Sequence, residues 1–162
     1  MVMAKVLATA AMQEGKCVTW LPSYGAEVRG GAARCMLIIS DKKIGSPHIS
    51  VADTLVAMNE LSLNKYLSCL KPGGLLVLNT SLAQPPQNKT KIKLIKVPAT
   101  NLAIELGNIR VANTVLLGAY VAKQRSVGKQ TMLAVMKDLS QGLSPELFEI
   151  NKKAFEVGYK NK

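Results

Sequence analysis

The sequence predicts an α/β fold of three layers, α/β/α, in which helices cover both faces of a mostly parallel sheet. Three short apolar runs are the first reason, and they lie at residues 35–39, 54–58 and 74–78. Continuous apolar runs are typical of strands that helices bury on both faces. The second reason is segment 59–70, whose leucines follow helical spacing. A strand, a helix and a strand in this order favour a parallel pair, and an antiparallel edge strand would make the sheet mixed.

The N-terminal residues predict a helix followed by a short strand. Apolar side chains recur at spacings of four over residues 2–14, and Gly15 then ends the helix. Residues 17–21 are rich in β-forming side chains and lead into Pro22, which we expect to end the strand. A minimal secretory signal is the alternative for the start of the chain, but its apolar run is short and is interrupted by Thr9.

The remaining residues predict an edge strand and a helical C-terminal third. Lysines alternate with apolar residues over 89–94, which predicts a strand with one charged face near the sheet edge. Ser144 is the expected N-cap of the last helix. The predicted helices are 102–106, 109–122, 129–139 and 145–157. We expect one domain over residues 1–162, with its helical part at about 109–162.

Composition narrows the classes of function. The net charge of +11 is compatible with nucleic acid, a membrane surface or an acidic partner. One tryptophan, four tyrosines and two phenylalanines leave few side chains for stacking on bases, so we expect no nucleic-acid partner. No run of eighteen apolar residues occurs in the sequence, so we expect no membrane partner.

The cysteines and the single histidine bear on metal chemistry. Cys17, Cys35 and Cys69 lie far apart in the sequence and indicate buried thiols in a reducing cytoplasm. With His48, which we expect on the surface, they cannot supply the four thiolates of a standard iron–sulfur cluster. We therefore expect no metal cluster in this chain, and if redox chemistry occurs nearby we expect another chain to carry it.

The segment 22–31 has the composition of a functional loop. It holds three glycines, a proline, Glu27 and Arg29. The guanidinium of Arg29 suits a carboxylate or a phosphate, and Gly30 and Gly31 permit close approach of another backbone. The alternative, which composition alone favours, is that Glu27 and Arg29 pair to hold the loop while the glycines serve a tight turn.

Eight short motifs occur together in a fixed order. They are SYGAEVRGG at 23–31, IS at 39–40, AD at 52–53, KPGG at 71–74, VPA at 97–99, ELGN at 105–108, AN at 112–113 and LGA at 117–119. In this order the chain resembles the gamma subunit of 2-oxoacid:ferredoxin oxidoreductases over roughly residues 3–118. That family opens with a strand and a glycine-rich GxGGQG turn, whereas this sequence begins within the helix that follows them. Either the start is truncated or this member lacks the strand, so no phosphate-binding turn is assigned.

The resemblance implies a Rossmann-like domain and a non-catalytic role in a complex that oxidatively decarboxylates a 2-oxoacid to acyl-CoA and reduces ferredoxin. It implies alpha, beta and ferredoxin-like delta subunits as partners, and ferredoxin as the electron acceptor. Thiamine diphosphate, Mg and iron–sulfur clusters are expected on the partners, with CoA as a substrate of the complex. The first expectation for the 2-oxoacid is 2-oxoglutarate, then pyruvate or a branched-chain or indolepyruvate substrate. The isolated chain could form a homodimer.

The candidate site residues are expected to form a subunit contact or to border the path of CoA. They are Tyr24, Gly25, Glu27, Arg29, Gly30, Gly31, Asn108 and Asn113. Capping of a helix end explains Asn108 equally well. Four lysines are candidates for contact with an acidic partner or with CoA phosphates, although a solvated surface explains each of them. They are Lys89, Lys91, Lys93 and Lys96.

Two rival functions make different predictions. A free-standing nucleotide-binding enzyme is disfavoured because no GxGxxG motif follows a predicted strand. A basic nucleic-acid-binding module would bind oligonucleotides with a steep dependence on salt. A gamma subunit would instead copurify with alpha and beta chains.

Overall fold

Strands and helices alternate in the first two thirds of the chain, and helices alone form the rest. The computed structural model describes residues 1–23, 33–87, 92–140 and 144–161. The strands are β1 (Cys17–Ser23), β2 (Arg34–Ser40), β3 (Ala52–Ala57), β4 (Leu70–Asn79) and β5 (Lys93–Val97). The helices are α1 (Val2–Gln13), α2 (Glu60–Tyr66), α3 (Ala99–Glu105), α4 (Ala112–Gln124), α5 (Lys129–Leu139) and α6 (Pro145–Lys160). Short 3-10 turns, Leu67–Cys69 and Ile109–Val111, precede β4 and α4.

The described strands form two separate sheets. β1 and β2 make an antiparallel pair, in which Cys17 lies opposite Ser40 and Ser23 opposite Arg34. The other sheet has the order β3-β4-β5 and is parallel throughout. The predicted parallel pair with a helix between its strands is therefore confirmed as β3, α2 and β4. The antiparallel element is a sheet of its own.

The central strand β4 forms the middle of the three layers, because helices pack against both of its faces. Its Leu75 and Val77 point to one face, where they join a core formed with α3, α4 and α6. Leu76 and Leu78 point to the other face and pack with Leu63 of α2. All five side chains are buried. Helices thus cover both faces of the parallel sheet, and the predicted α/β/α fold class is confirmed.

Two predictions about the first two strands are wrong. The apolar run 35–39 was expected to be buried on both faces, but each of its residues is only half-buried. In the described residues β2 pairs with β1 alone, and only Leu37 and Ile39 pack against the core formed by α1, α4, α5 and α6. Pro22 does not end β1, which continues to Ser23. Proline is tolerated there because β1 pairs with a single neighbour among the described strands, as an edge strand does.

The predicted edge strand is present. β5 pairs with β4 alone among the described strands, and it begins at Lys93. Residues 88–91, with Lys89 and Lys91, lie outside the described ranges. Lys93 is exposed and, by strand alternation, lies on the opposite face from Leu94. The placement of the lysines of residues 89–94 on one face therefore stays a prediction.

The helical C-terminal third follows the predicted order. α5 has the predicted bounds, α6 begins at Pro145 after Ser144 in the N-cap position, and α1 ends one residue before the predicted end. The backbones of α4 and α6 approach closely at Gly118 and Gly158. A Cβ at Gly118 would overlap the carbonyl group of Phe155 and lie 2.7 Å from the backbone nitrogen of Tyr159. A side chain cannot be accommodated at this contact without separating the helices.

A carboxylate joins the end of α1 to the start of α5. Glu14 accepts a hydrogen bond from the backbone N–H of Gly128 at 2.8 Å. Hydrogen bonds from the Thr131 side chain and from this N–H hold the pKa of Glu14 below its ordinary value, and the charge of Lys16 acts in the same direction. The carboxylate satisfies an N–H group that would otherwise lack a helical partner.

We predict that Gly118→Ala destabilises the protein by about 2 to 3 kcal/mol, because overpacking a tight helix contact costs energy of this order. Urea unfolding followed by circular dichroism measures the change. Gly45→Ala is the matched control, since a Cβ at exposed Gly45 would meet no atom within 4 Å. Equal stability of the two variants would show that α4 and α6 are not in backbone contact.

We predict that Glu14→Gln lowers stability by about 1 kcal/mol at pH 7, as loss of a helix cap does. Because the folded-state pKa of Glu14 is lowered, its contribution is present above the ordinary carboxyl pKa and is lost as pH falls through the folded value. The difference between wild type and variant should therefore disappear in acid. Thermal unfolding between pH 3 and pH 7 tests this, with exposed Glu149→Gln as a control for the change in net charge. A difference that persists in acid would contradict the assignment.

Candidate functional site

A cleft of about 1500 Å³ separates the two sheets. Strand β2 forms one wall and β3 forms the opposite wall, while the start of α1 and the side of α4 also line it. Met3 and Tyr120 pack against both the core under the parallel sheet and the core under the antiparallel pair. These two side chains line the cleft as well. Helices α1 and α4 therefore form one continuous layer beneath the two separate sheets.

Two of the sequence motifs meet at the start of this cleft. Asp53 in β3 forms an ion pair with Lys71, which follows the first residue of β4. The register between the strands shifts here: Ala52 lies opposite Leu70, but Thr54 lies opposite Leu75. The intervening KPGG residues thus leave the ladder, and Gly73 adopts the left-handed conformation with φ of +77°. The KPGG residues therefore form a bulge within β4.

Further polar contacts connect the walls to the helices. The side-chain amide of Gln124 in α4 donates to the hydroxyl of Thr54 in β3 at 2.9 Å. At the start of β2 the guanidinium of Arg34 lies 5.1 Å from the centre of the Tyr66 ring, within range of a cation–π interaction. Arg34 therefore links the antiparallel pair to the end of α2 on the other side of the cleft.

The lining of the cleft has an excess of positive charge. Its acidic residues are Asp41 and Asp53, and each is paired with a lysine, Lys16 or Lys71. Further cationic residues in the lining are Arg34, Lys93 and Lys123. The cleft is therefore suited to a ligand that carries negative charge.

Tyr120 lies at the base of the cleft and remains a neutral phenol near pH 7. Burial raises its pKa, and the negative charge of Asp53 acts in the same direction, against the hydrogen bond with Ser126. The two hydroxyl oxygens are 3.4 Å apart. Tyr120 thus offers a hydrogen-bonding group without a charge.

Most of the predicted site residues lie outside the described ranges. These are Tyr24, Gly25, Glu27, Arg29, Gly30 and Gly31. The described residues on either side, Ser23 and Ala33, end β1 and precede β2, and Ala33 and Arg34 line the cleft. The role of the loop therefore stays a prediction.

Asn113 and Asn108 have different surroundings. Asn113, the second residue of α4, lines the cleft, and its side-chain oxygen accepts a hydrogen bond from Thr114 at 3.2 Å. The side-chain oxygen of Asn108 instead accepts from the backbone N–H of Arg110 at 3.0 Å, and so caps the turn before α4. The capping alternative therefore accounts for Asn108, whereas Asn113 stays a site candidate.

Asn79 is a structurally important residue that sequence reasoning missed. It is fully buried at the carboxyl end of β4. Its amide nitrogen donates to the carbonyl of Met58 at 3.0 Å and to the hydroxyl of Thr100 at 2.9 Å, and its oxygen accepts from Thr100 and Ser81 at 3.3 Å. Asn79 therefore joins the ends of β3 and β4 to the start of α3. A polar residue directly after the apolar run 74–78 was the available signal.

The thiols of Cys17, Cys35 and Cys69 are free and only half-buried, so the prediction that they are buried is wrong. Among the described residues, no three side chains of the types His, Cys, Asp and Glu lie close enough together to hold a metal ion. None of the helices within the described ranges has the length and apolar character needed to span a bilayer.

Comparison with known proteins identifies the family. The sequence profile described as pyruvate ferredoxin/flavodoxin oxidoreductase matches residues 1–161. Subunit VorA of the ketoisovalerate oxidoreductase of Methanothermobacter marburgensis is 39% identical over 120 residues, which cover 74% of this chain and 25% of that protein. The chain thus spans about a quarter of the length of this relative.

Separate subunits match over more of their length. The 2-oxoglutarate synthase subunit KorC of the same organism is 32% identical over 155 residues, covering 92% of this chain and 82% of that subunit. The crystal structure of a keto/oxoacid ferredoxin oxidoreductase gamma subunit from Geobacter sulfurreducens superposes with a TM-score of 0.81 at 30% identity, covering 99% of this chain and 89% of that one. The chain therefore belongs to the pyruvate ferredoxin/flavodoxin oxidoreductase family, within which it corresponds to the gamma subunit.

Proposed function

We propose that this chain is the non-catalytic gamma subunit of a complex that oxidatively decarboxylates a 2-oxoacid to acyl-CoA and passes the electrons to ferredoxin. The observation that carries the proposal is the agreement with separate gamma-type subunits over nearly the whole chain, in sequence and in fold. The role of the subunit is to support assembly of the complex and to border the path of CoA.

The cofactors of the reaction belong to the partner subunits in this proposal. The whole sequence contains three cysteines, which cannot provide the four thiolates of a standard iron–sulfur cluster. Alpha and beta subunits would carry thiamine diphosphate and Mg, and a ferredoxin-like delta subunit would carry clusters. The positive lining of the cleft suits contact with acidic segments or with the phosphates of CoA.

The 2-oxoacid is 2-oxoglutarate in our first proposal, with pyruvate and a branched-chain or indolepyruvate substrate as alternatives. The names of the related proteins include both a ketoisovalerate oxidoreductase and a 2-oxoglutarate synthase. Substrate contacts are therefore expected mainly on the partner chains.

We predict that this chain copurifies with alpha and beta subunits when they are coexpressed, and that the complex reduces ferredoxin with a 2-oxoacid and CoA. Comparing 2-oxoglutarate, pyruvate and 2-ketoisovalerate in one spectrophotometric assay identifies the substrate. The isolated chain is the control and should show no turnover. Turnover by the isolated chain, or failure to copurify, would refute the proposed function.

We predict that Arg29→Ala weakens assembly or raises the KM for CoA by about tenfold, since loss of one charge-assisted hydrogen bond costs about 1.5 to 3 kcal/mol. Size-exclusion chromatography and steady-state kinetics of the complex measure the two effects. Arg110→Ala removes the same charge at an exposed position outside the cleft lining and should leave both unchanged. Identical behaviour of the two variants would exclude Arg29 from the site.

A further inference from the structure

We infer that the end of the molecule where α1 and α4 stop and α5 begins binds an acidic segment of a partner subunit. The inference rests on the proposed function, because it takes that segment from a neighbouring chain of the complex. Six cationic side chains define the surface, which we call the basic end. They are Lys16, Lys42, Lys43, Lys123, Arg125 and Lys129.

A hydrogen bond and an ion pair bring these residues together from distant parts of the chain. Glu14, just after α1, accepts from the backbone N–H of Gly128 and so holds the end of α1 against the connection between α4 and α5. Lys16 pairs with Asp41 at 3.0 Å, which joins the residues that follow β2 to those that follow α1. The six cations therefore lie at the same end of the molecule.

Positive charge prevails at the basic end. The acidic residues that these contacts bring there, Glu14 and Asp41, are already engaged by them. Lys42, Lys43 and Arg125 are exposed, and none of the three has an ion pair among the described residues. Cations that lie together without counter-charges attract an acidic ligand.

Arg125 occupies a position that favours glycine. Its φ of 49° and ψ of 26° are left-handed, and within the described ranges it is the one residue other than glycine with a positive φ. Helices commonly end on glycine in this conformation, because a Cβ is unfavourable there. Glycine would therefore suit the fold better than arginine does. A ligand outside the chain accounts for the arginine, since its planar guanidinium can bind a carboxylate through two hydrogen bonds.

An acidic protein segment fits the basic end better than nucleic acid does. The carboxylates of Glu14 and Asp41 lie among the cations and would repel a continuous row of phosphates, whereas single acidic side chains can bind between them. The ring of Tyr159 is half-buried and lies 5.1 Å from the ammonium group of Lys129, so it is poorly placed to stack on a base. Met12, in the last turn of α1, is 63% exposed and adds apolar surface of the kind that protein contacts bury.

A partner subunit is favoured over a second copy as the source of this segment. The net charge of the chain is +11, so two copies would repel each other at a basic surface. In the longer relative described above, the matching region is about a quarter of one polypeptide, so neighbouring units are held close to it. A segment held nearby binds at a high effective concentration.

Carbodiimide crosslinking of the purified complex tests the contact, because this reagent joins a lysine to a carboxylate that touches it. We expect Lys42, Lys43 or Lys129 to be joined to Asp or Glu residues in one segment of a partner subunit, identified by mass spectrometry. Lys153, which is exposed on α6, is the matched control and should not be joined to that segment.

The variant Arg125→Gly separates binding from folding. We expect the Tm of the isolated chain to rise by about 2 °C or more, because glycine adopts the left-handed conformation freely. We expect its affinity for the partner subunits to fall by about tenfold, since loss of one charge-assisted hydrogen bond has an effect of this size, and the loss should shrink as salt is raised. Arg110→Ala removes the same charge at another exposed position and should leave the affinity unchanged. A purely structural role of Arg125 would lower both the Tm and the affinity.

Any of three results overturns the inference. The first is a complex in which Lys42, Lys43 and Lys129 give no crosslink to a partner subunit, or crosslinks to a second copy of this chain alone. The second is an unchanged affinity of Arg125→Gly for the partner subunits. The third is binding of an oligonucleotide by the isolated chain that Arg125→Gly weakens, in place of the crosslinks. Copurification is scored with the unmodified chain: its failure contradicts the proposed function, whereas copurification with any of the three results contradicts this inference alone.

Discussion

The close contact between α4 and α6 determines where the two sheets lie. Because Gly118 and Gly158 leave no room for side chains, the two helices form a thin and rigid pair. The parallel sheet packs on one end of this helix pair through Leu75 and Val77. The antiparallel pair packs on the rest of it, together with α1 and α5. The two sheets therefore keep their positions although no described strand connects them. The cleft follows from this arrangement, because it is the space between the two sheets above the helices on which both sheets pack.

The sequence was sufficient for elements whose signals are local. Periodicity, proline and glycine were enough to predict α5, the start of α6 and the unit of β3, α2 and β4. Burial of β2 was predicted wrongly, because an apolar run shows that a strand favours burial but not whether the described residues of this chain cover both of its faces.

For the candidate site, too, the sequence motifs predicted some features and missed others. Motif order was enough for the family, and it places Asp53 and Lys71 in two motifs that the fold brings into contact. It could not reveal Asn79, whose partners Met58 and Thr100 are each 21 residues away in the chain. Asn108 and Asn113 were both candidates, although capping was already an alternative for Asn108. The local hydrogen bond from Arg110 accounts for Asn108, whereas the position of Asn113 in the cleft lining depends on contacts that are distant in the sequence.

Pro22 limits pairing along one strand of the antiparallel pair. It lies in β1, for which the described residues show no strand partner other than β2. Proline supplies no backbone N–H to a ladder, so its presence in such a strand disfavours the addition of a further strand. The strand is thereby less prone to edge-to-edge association between copies of the chain.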